Sequence, residues 1–151
     1  MRIWLMALSA AVLTACGPVT APPAPPAPPA AETPEQVVAR GEYIVTSIGG
    51  CNDCHTPHLQ TGDLDMAHTL QGAPLGFALV PALEGKMPWA AIAPPIAGGP
   101  AGYTDEQFAH FLMSGERPDH SQARPPMPQF RLHEDDARAV VAYIKTLPKA
   151  Q

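Results

Sequence analysis

The stretch Gly49-Gly-Cys-Asn-Asp-Cys-His-Thr-Pro57, "GGCNDCHTP", decides how this chain is read. Two cysteines, Cys51 and Cys54, stand three apart, and His55 follows at once. Four chemistries compete for such a pattern. A redox dithiol should open a helix after a strand in an alternating βαβ pattern, whereas here a helical pattern precedes the pair. Zinc needs four ligands in tetrahedral array. Cys51, Cys54 and His58 offer three, and no second cysteine pair exists. A Cys51–Cys54 disulfide closes a very small loop and stabilises little. Covalent haem attachment uses every residue: each thiol forms a thioether with a vinyl group, and the adjacent imidazole reaches the iron.

Working outward, the helical pattern before the motif starts at "TPEQ". Thr33 is a candidate N-cap, Pro34 takes the first helical position and Gln36 closes a capping box. Val37, Val38, Ile44, Val45 and Ile48 recur at helical spacing, and Gly49-Gly50 are the stop signal. After the motif, glycine and proline punctuate residues 56–102, with at most short helical turns and no convincing strand. So long an irregular stretch needs something other than secondary structure to fill the space, and a large cofactor does so. "TDEQFAHFLMSG" predicts a second helix, capped by Thr104 and Gln107 and stopped by Gly115, with Phe108, Phe111 and Leu112 as its apolar stripe. "HEDDARAVVAYIKTLP" predicts the last, with Ala137, Val140, Val141, Ile144 and Leu147 on one face. Its early acids and late Lys145 suit the helix dipole and need no functional explanation.

The iron of a haem held by one histidine takes a second axial partner or keeps an open site. Met127 stands in "RPPMP", where prolines on both sides stiffen the loop. That makes it the candidate sixth ligand, with Met87 in "KMPW" the alternative. Met66 lies in the irregular middle, and Met113 on a predicted helix reads as core packing. His58, His68, His110, His120 and His133 read as solvated or locally bonded side chains. Trp89, Tyr103 and Phe130 are candidates for the pocket wall or for ordinary core. Pro74 is the candidate carbonyl to accept the inner ring N–H of His55.

The chain's beginning has a different character. "MRIWLMALSAAVLTAC" places Arg2 before an apolar run too short to span a bilayer, which reads as an export signal over residues 1–15. "LTAC" resembles a bacterial lipobox, which implies that Cys16 becomes the lipidated first residue of the mature protein. Cleavage near Ala15 by ordinary signal peptidase is the alternative. Three Ala-Pro-Pro units follow, within a tether over residues 16–33. About 14 residues of extended polyproline reach about 40 Å. The expectation is a periplasmic lipoprotein tethered to a bacterial membrane, with its folded domain over residues 34–149.

The net charge of the 151-residue chain is −5, and loss of Arg2 with residues 1–15 makes it −6. Acidic balance argues against nucleic acid as a partner. With Lys86, Lys145 and Lys149 the only lysines, it also argues against docking through a broad lysine patch.

Over residues 35–148 the chain resembles the class I c-type cytochromes. The features that carry the resemblance are "RGEYIVTSIGGCNDCHTP", "YTDEQFAHFLMSGERPD", "PPMPQF" and "DDARAVVAYIKTLP", in that order. They are similar to single-haem bacterial domains found beside alcohol and aldehyde dehydrogenases and in respiratory chains. The resemblance implies an all-α cytochrome c fold, three to five helices around one covalent haem c, with first and last helices crossing near Gly41 and Tyr143. It implies an electron carrier rather than an enzyme, serving a dehydrogenase, respiratory complex or oxidase. The residues themselves point to Cys51 and Cys54 as the thioether positions and to His55 and Met127 as the iron ligands, with Met87 the alternative to Met127. The sequence departs from many relatives at His133, where Ser or Thr is common, and at Gln129, where Trp is common. The alternative function is a haem-based sensor or ligand-binding module with a displaceable sixth ligand.

Overall fold

The structure is a computed structural model that describes residues 31–149. The export signal, Cys16 and nearly all of the tether lie outside the described residues.

Helix α1 (Pro34–Tyr43) begins on the capping box that the sequence predicts. The Gln36 amide donates to Thr33 Oγ1 at 3.3 Å and the Thr33 amide to Gln36 Oε1 at 2.8 Å, so two otherwise orphaned donors are satisfied reciprocally. The helix does not continue regularly to the glycines. Ile44–Ile48 form a π-helical turn, closed by the Gly49 amide on the Ile44 carbonyl at 2.6 Å. The wider turn carries Ile48 off the apolar face. It is 64% exposed, contrary to its expected place in the core, while Ile44 and Val45 stay buried. Gly50 then takes φ +60°, a left-handed conformation that costs glycine little, and helix α2 (Cys51–His55) follows.

The middle of the chain is loops tied by backbone hydrogen bonds. Two short 3-10 turns, Met66–His68 and Pro81–Leu83, interrupt it. Contrary to expectation it also contains a small antiparallel ladder, β1 (Ala73–Pro74) against β2 (Ile92–Ala93). Two paired residues per strand leave no alternating pattern that a sequence could display. Leu70 is fully buried at φ +58°, and its carbonyl accepts both the Ile96 and Ala97 amides.

Helix α3 (Asp105–Ser114) opens on the Thr104–Gln107 capping box and ends at Gly115 with φ +75°. Helix α4 (Glu134–Thr146) starts at His133, which makes no side-chain cap bond, so its three early acids alone complement the helix end. Phe108, Phe111 and Leu112 of α3 and Val140 and Ile144 of α4 form the core with Val45. At about 1.5–3 kcal/mol for each large apolar side chain, this burial holds the helices together.

Helices α1 and α4 cross at Gly41. A Cβ there would stand 1.9 Å from the Ala139 carbonyl oxygen and 2.9 Å from Tyr143 Cβ. The close approach is therefore backbone to backbone at Ala139, with Tyr143 one turn further along. Arg40 braces the same junction with ion pairs to Glu32 at 2.8 Å and Asp136 at 3.3 Å.

Candidate functional site

The helices and the loop layer enclose a cavity of about 530 Å³, within the range of pockets that hold a cofactor-sized ligand. Cys51, Cys54, His55 and Met127 all line it. Residues separated by more than 70 positions thus meet around one space. Most of the rest of the wall is apolar, including Phe108, Phe111 and Ile144.

His55 is buried, and its Nδ1 lies 2.7 Å from the Pro94 carbonyl oxygen. That oxygen can only accept, so Nδ1 carries the hydrogen and donates it, which leaves the lone pair on Nε2. Burial holds the His55 pKa below the ordinary imidazole value, so the ring is neutral at pH 7, the form that ligates metals. The sequence pointed to Pro74 for this role, and the structure corrects it to Pro94. The β1–β2 ladder lays the segment after β2 beside the segment of Pro74, and no local pattern tells which of two prolines faces the ring.

Cys51 and Cys54 are free thiols, not joined to each other. Burial pushes the Cys51 thiol up to about 11 and raises that of Cys54 as well, with Asp53 adding to both. Reactive dithiols have depressed pKa values, so this environment is unlike that of a redox pair. Gly49 sits against the motif, with a Cβ at that position falling 3.3 Å from Cys51 Sγ.

Met127 reaches the cavity on a braced loop. Its amide donates to the Arg124 carbonyl at 3.1 Å, and the Ala90 amide donates to the Pro125 carbonyl at 2.8 Å. The Pro125–Pro126 peptide is cis. Gln129 packs on Gly115 and donates through Nε2 to the Ser114 carbonyl, tying the loop to the end of α3. Met87 does not line the cavity, Met66 is exposed, and Met113 packs against the core.

Of the three candidate wall aromatics, Tyr103 and Phe130 line the cavity and Trp89 does not. Trp89 packs edge-on against Phe77, with ring centroids 6.1 Å apart. His58, His68, His110, His120 and His133 are all exposed, as read from sequence. Among the lining residues that escaped the sequence reading are two charged ones, Arg117 and Arg124. Both precede proline in the loop that leads to Met127, a setting that does not by itself distinguish them from solvated arginines.

The residues present fit a covalently attached haem. Two thiols, a neutral imidazole with its outer nitrogen free and a thioether border one apolar space of suitable size. Among the described residues no group of three or more His, Cys, Asp or Glu could hold a separate metal ion.

The family model described as "Cytochrome c" matches residues 38–148. A diheme cytochrome c-type protein of Cereibacter sphaeroides is 33% identical over 117 residues, 72% of this chain and 35% of the relative. The cytochrome c subunit of a quinone alcohol dehydrogenase from Gluconacetobacter polyoxogenes is 32% identical over 124 residues. That of Gluconobacter oxydans is 30% identical over the same length. Both alignments take in 74% of this chain and 24% of the relative. The chain therefore spans about a quarter to a third of the length of these relatives.

Proposed function

We propose, from the premise that the chain belongs to the cytochrome c family, that it is a single-haem electron carrier tethered to the periplasmic face of a bacterial membrane. Covalent haem supplies a one-electron ferric/ferrous couple. Cys51 and Cys54 would hold it through thioethers, and His55 Nε2 and the Met127 sulfur would bind its iron. One haem is assigned because the chain carries one Cys-x-x-Cys-His motif.

The observation that carries this reading is the convergence of Cys51, Cys54, His55 and Met127 on a single cavity. The Pro94 carbonyl fixes the imidazole tautomer and raises its basicity. The apolar walls limit water, which together with thioether ligation raises the potential. The brace on the methionine loop favours a permanent sixth ligand, and so electron carriage over ligand sensing.

A dehydrogenase is the proposed electron donor, since two relatives are named as cytochrome subunits of quinone alcohol dehydrogenases. Cys16 is the proposed lipidation site, and the proline-rich segment the tether that keeps carrier and partner at high effective concentration.

The test is the natively matured protein. Its mass should equal residues 16–151 plus one haem plus acyl chains, and the pigment should stay with the chain on extraction in acidic organic solvent. Loss of the pigment to the solvent ends the haem c assignment, and a mass without acyl chains ends the lipid assignment alone.

A further inference from the structure

Thr56 is completely buried, yet it does not line the cavity. A hydroxyl in such a place is costly unless its hydrogen and a lone pair both find partners. Thr56 Oγ1 donates to Asn52 Oδ1 at 3.2 Å and accepts from the Leu70 amide at 2.9 Å. Leu70 itself is strained. Its φ of +58° is a left-handed conformation, costly for a residue with a Cβ. Such strain persists only where the surroundings over-determine it. At Leu70 the amide is tied to Thr56, and the carbonyl accepts the Ile96 amide at 2.9 Å and the Ala97 amide at 3.0 Å. Two residues before Ile96 stands Pro94, whose carbonyl orients His55. Pro94 and Pro95 have fixed φ and no amide hydrogen, so a hold on Ile96 is transmitted to the Pro94 carbonyl. Gly72 leaves room for this segment, since a Cβ there would stand 2.7 Å from the Pro95 nitrogen. The path closes on itself. It runs from His55 Nδ1 to Pro94, along the chain to Ile96, across to Leu70, on to Thr56, and so back to the neighbouring His55.

We infer that Thr56 is a positioning residue for His55, its hydroxyl closing a ring of hydrogen bonds that holds the Pro94 carbonyl on Nδ1. The inference rests on the haem reading above. It assigns part of the redox behaviour to a side chain outside the cavity wall. A firmly held Pro94 carbonyl keeps the imidazole basic, and a basic ligand favours the ferric state. Releasing Leu70 loosens that carbonyl, so the potential rises. Water entering a disordered pocket acts in the opposite direction, because polar surroundings favour the more highly charged ferric state. The sign of the change therefore separates positioning from a general loosening of the fold.

The experiment compares haem-loaded wild type with T56V, T56S and T104A. T56V keeps the shape and loses the hydroxyl, whereas T56S keeps the hydroxyl. T104A removes the cap of α3 and so lowers stability outside the ring. The readouts are the ferric-to-ferrous ratio at fixed ambient potential and the hydrogen exchange of His55 Nδ1–H, followed by NMR in the ferrous protein. T56V should speed the exchange about tenfold and shift the ratio about threefold towards ferrous, the scale of one hydrogen bond lost or weakened. T56S and T104A should stay within about twofold of wild type in both readouts. Wild-type exchange and ratio in T56V overturn the assignment, and so does a shift towards ferric or an equal shift in T104A. If T56V fails to mature, wild type decides the point. The Leu70 and Ile96 amides and His55 Nδ1–H should then show one common opening equilibrium, as groups that open together do. A Leu70 amide that opens independently of Nδ1–H overturns this assignment alone. A wild-type chain without covalent haem overturns both it and the reading on which it rests.

Discussion

The two ring nitrogens of His55 have separate tasks, and a single backbone oxygen separates them. Pro94 takes Nδ1–H at 2.7 Å, so Nε2 keeps its lone pair, as the proposed iron ligation requires. Met127 needs no such orientation, because a thioether is soft and its loop supplies the rigidity. Replacing Met127 by Ala should leave haem attachment intact while removing the long-wavelength iron–sulfur absorption band of the oxidised protein. The same variant should lower the reduction potential and admit external ligands such as imidazole. Retention of the band in M127A would return Met87 to consideration. Cys51 and Cys54 were legible from their spacing alone, whereas Arg117 and Arg124 were not. An arginine in a loop reads as solvated until the fold shows that it borders a cavity.

Among the elements, the caps were the most readable feature. Thr33–Gln36 and Thr104–Gln107 both form the reciprocal boxes that their spacing announces, because capping is a contest between neighbours three residues apart. Thr104→Ala should cost about 1 kcal/mol in chemical denaturation of the holoprotein. The α1–α4 crossing is far less tolerant. A methyl group at Gly41 meets the Ala139 carbonyl at 1.9 Å, a distance no rotamer relieves, so the helices must separate. Gly41→Ala should destabilise the fold by about 3 kcal/mol or more, seen as a lower denaturation midpoint with an unchanged haem spectrum at low denaturant. A Gly41→Ala protein as stable as wild type would mean that the helices do not cross in this way. The π turn at Ile44–Ile48 was hidden, since a one-residue change of register leaves the sequence pattern nearly helical.

At the scale of the whole molecule, the loop layer and the cavity depend on each other. Residues 56–102 have little regular structure, and their hydrogen bonds wrap them around a space of about 530 Å³. Lost filling volume costs about 24 cal/mol per Å³, so removing the occupant of so large a space costs on the order of 10 kcal/mol. That is comparable with the entire stability of a domain, about 5–15 kcal/mol. A C51S/C54S variant made without haem should therefore lose near-ultraviolet circular dichroism and cooperative unfolding. A sharp thermal transition in that variant would contradict the dependence. The net charge of −5 acts over longer range. Electron transfer to a basic partner should slow as salt rises, with most of the fall complete near 0.15 M, where the screening length is about 8 Å. Rates that stay flat from low to high salt would remove charge from the account of docking.

By itself the sequence determined the elements whose signals are local: two capped helices, the attachment motif, the proline-flanked methionine and an apolar face on the last helix. These depend on side chains within a few positions of each other, so linear spacing carries the physics. Only the tertiary structure decided which proline carbonyl orients His55, which methionine borders the cavity, and that two arginines border it as well. Those outcomes depend on where distant loops meet, and a loop without periodic pattern carries no record of its neighbours until the chain has folded around them.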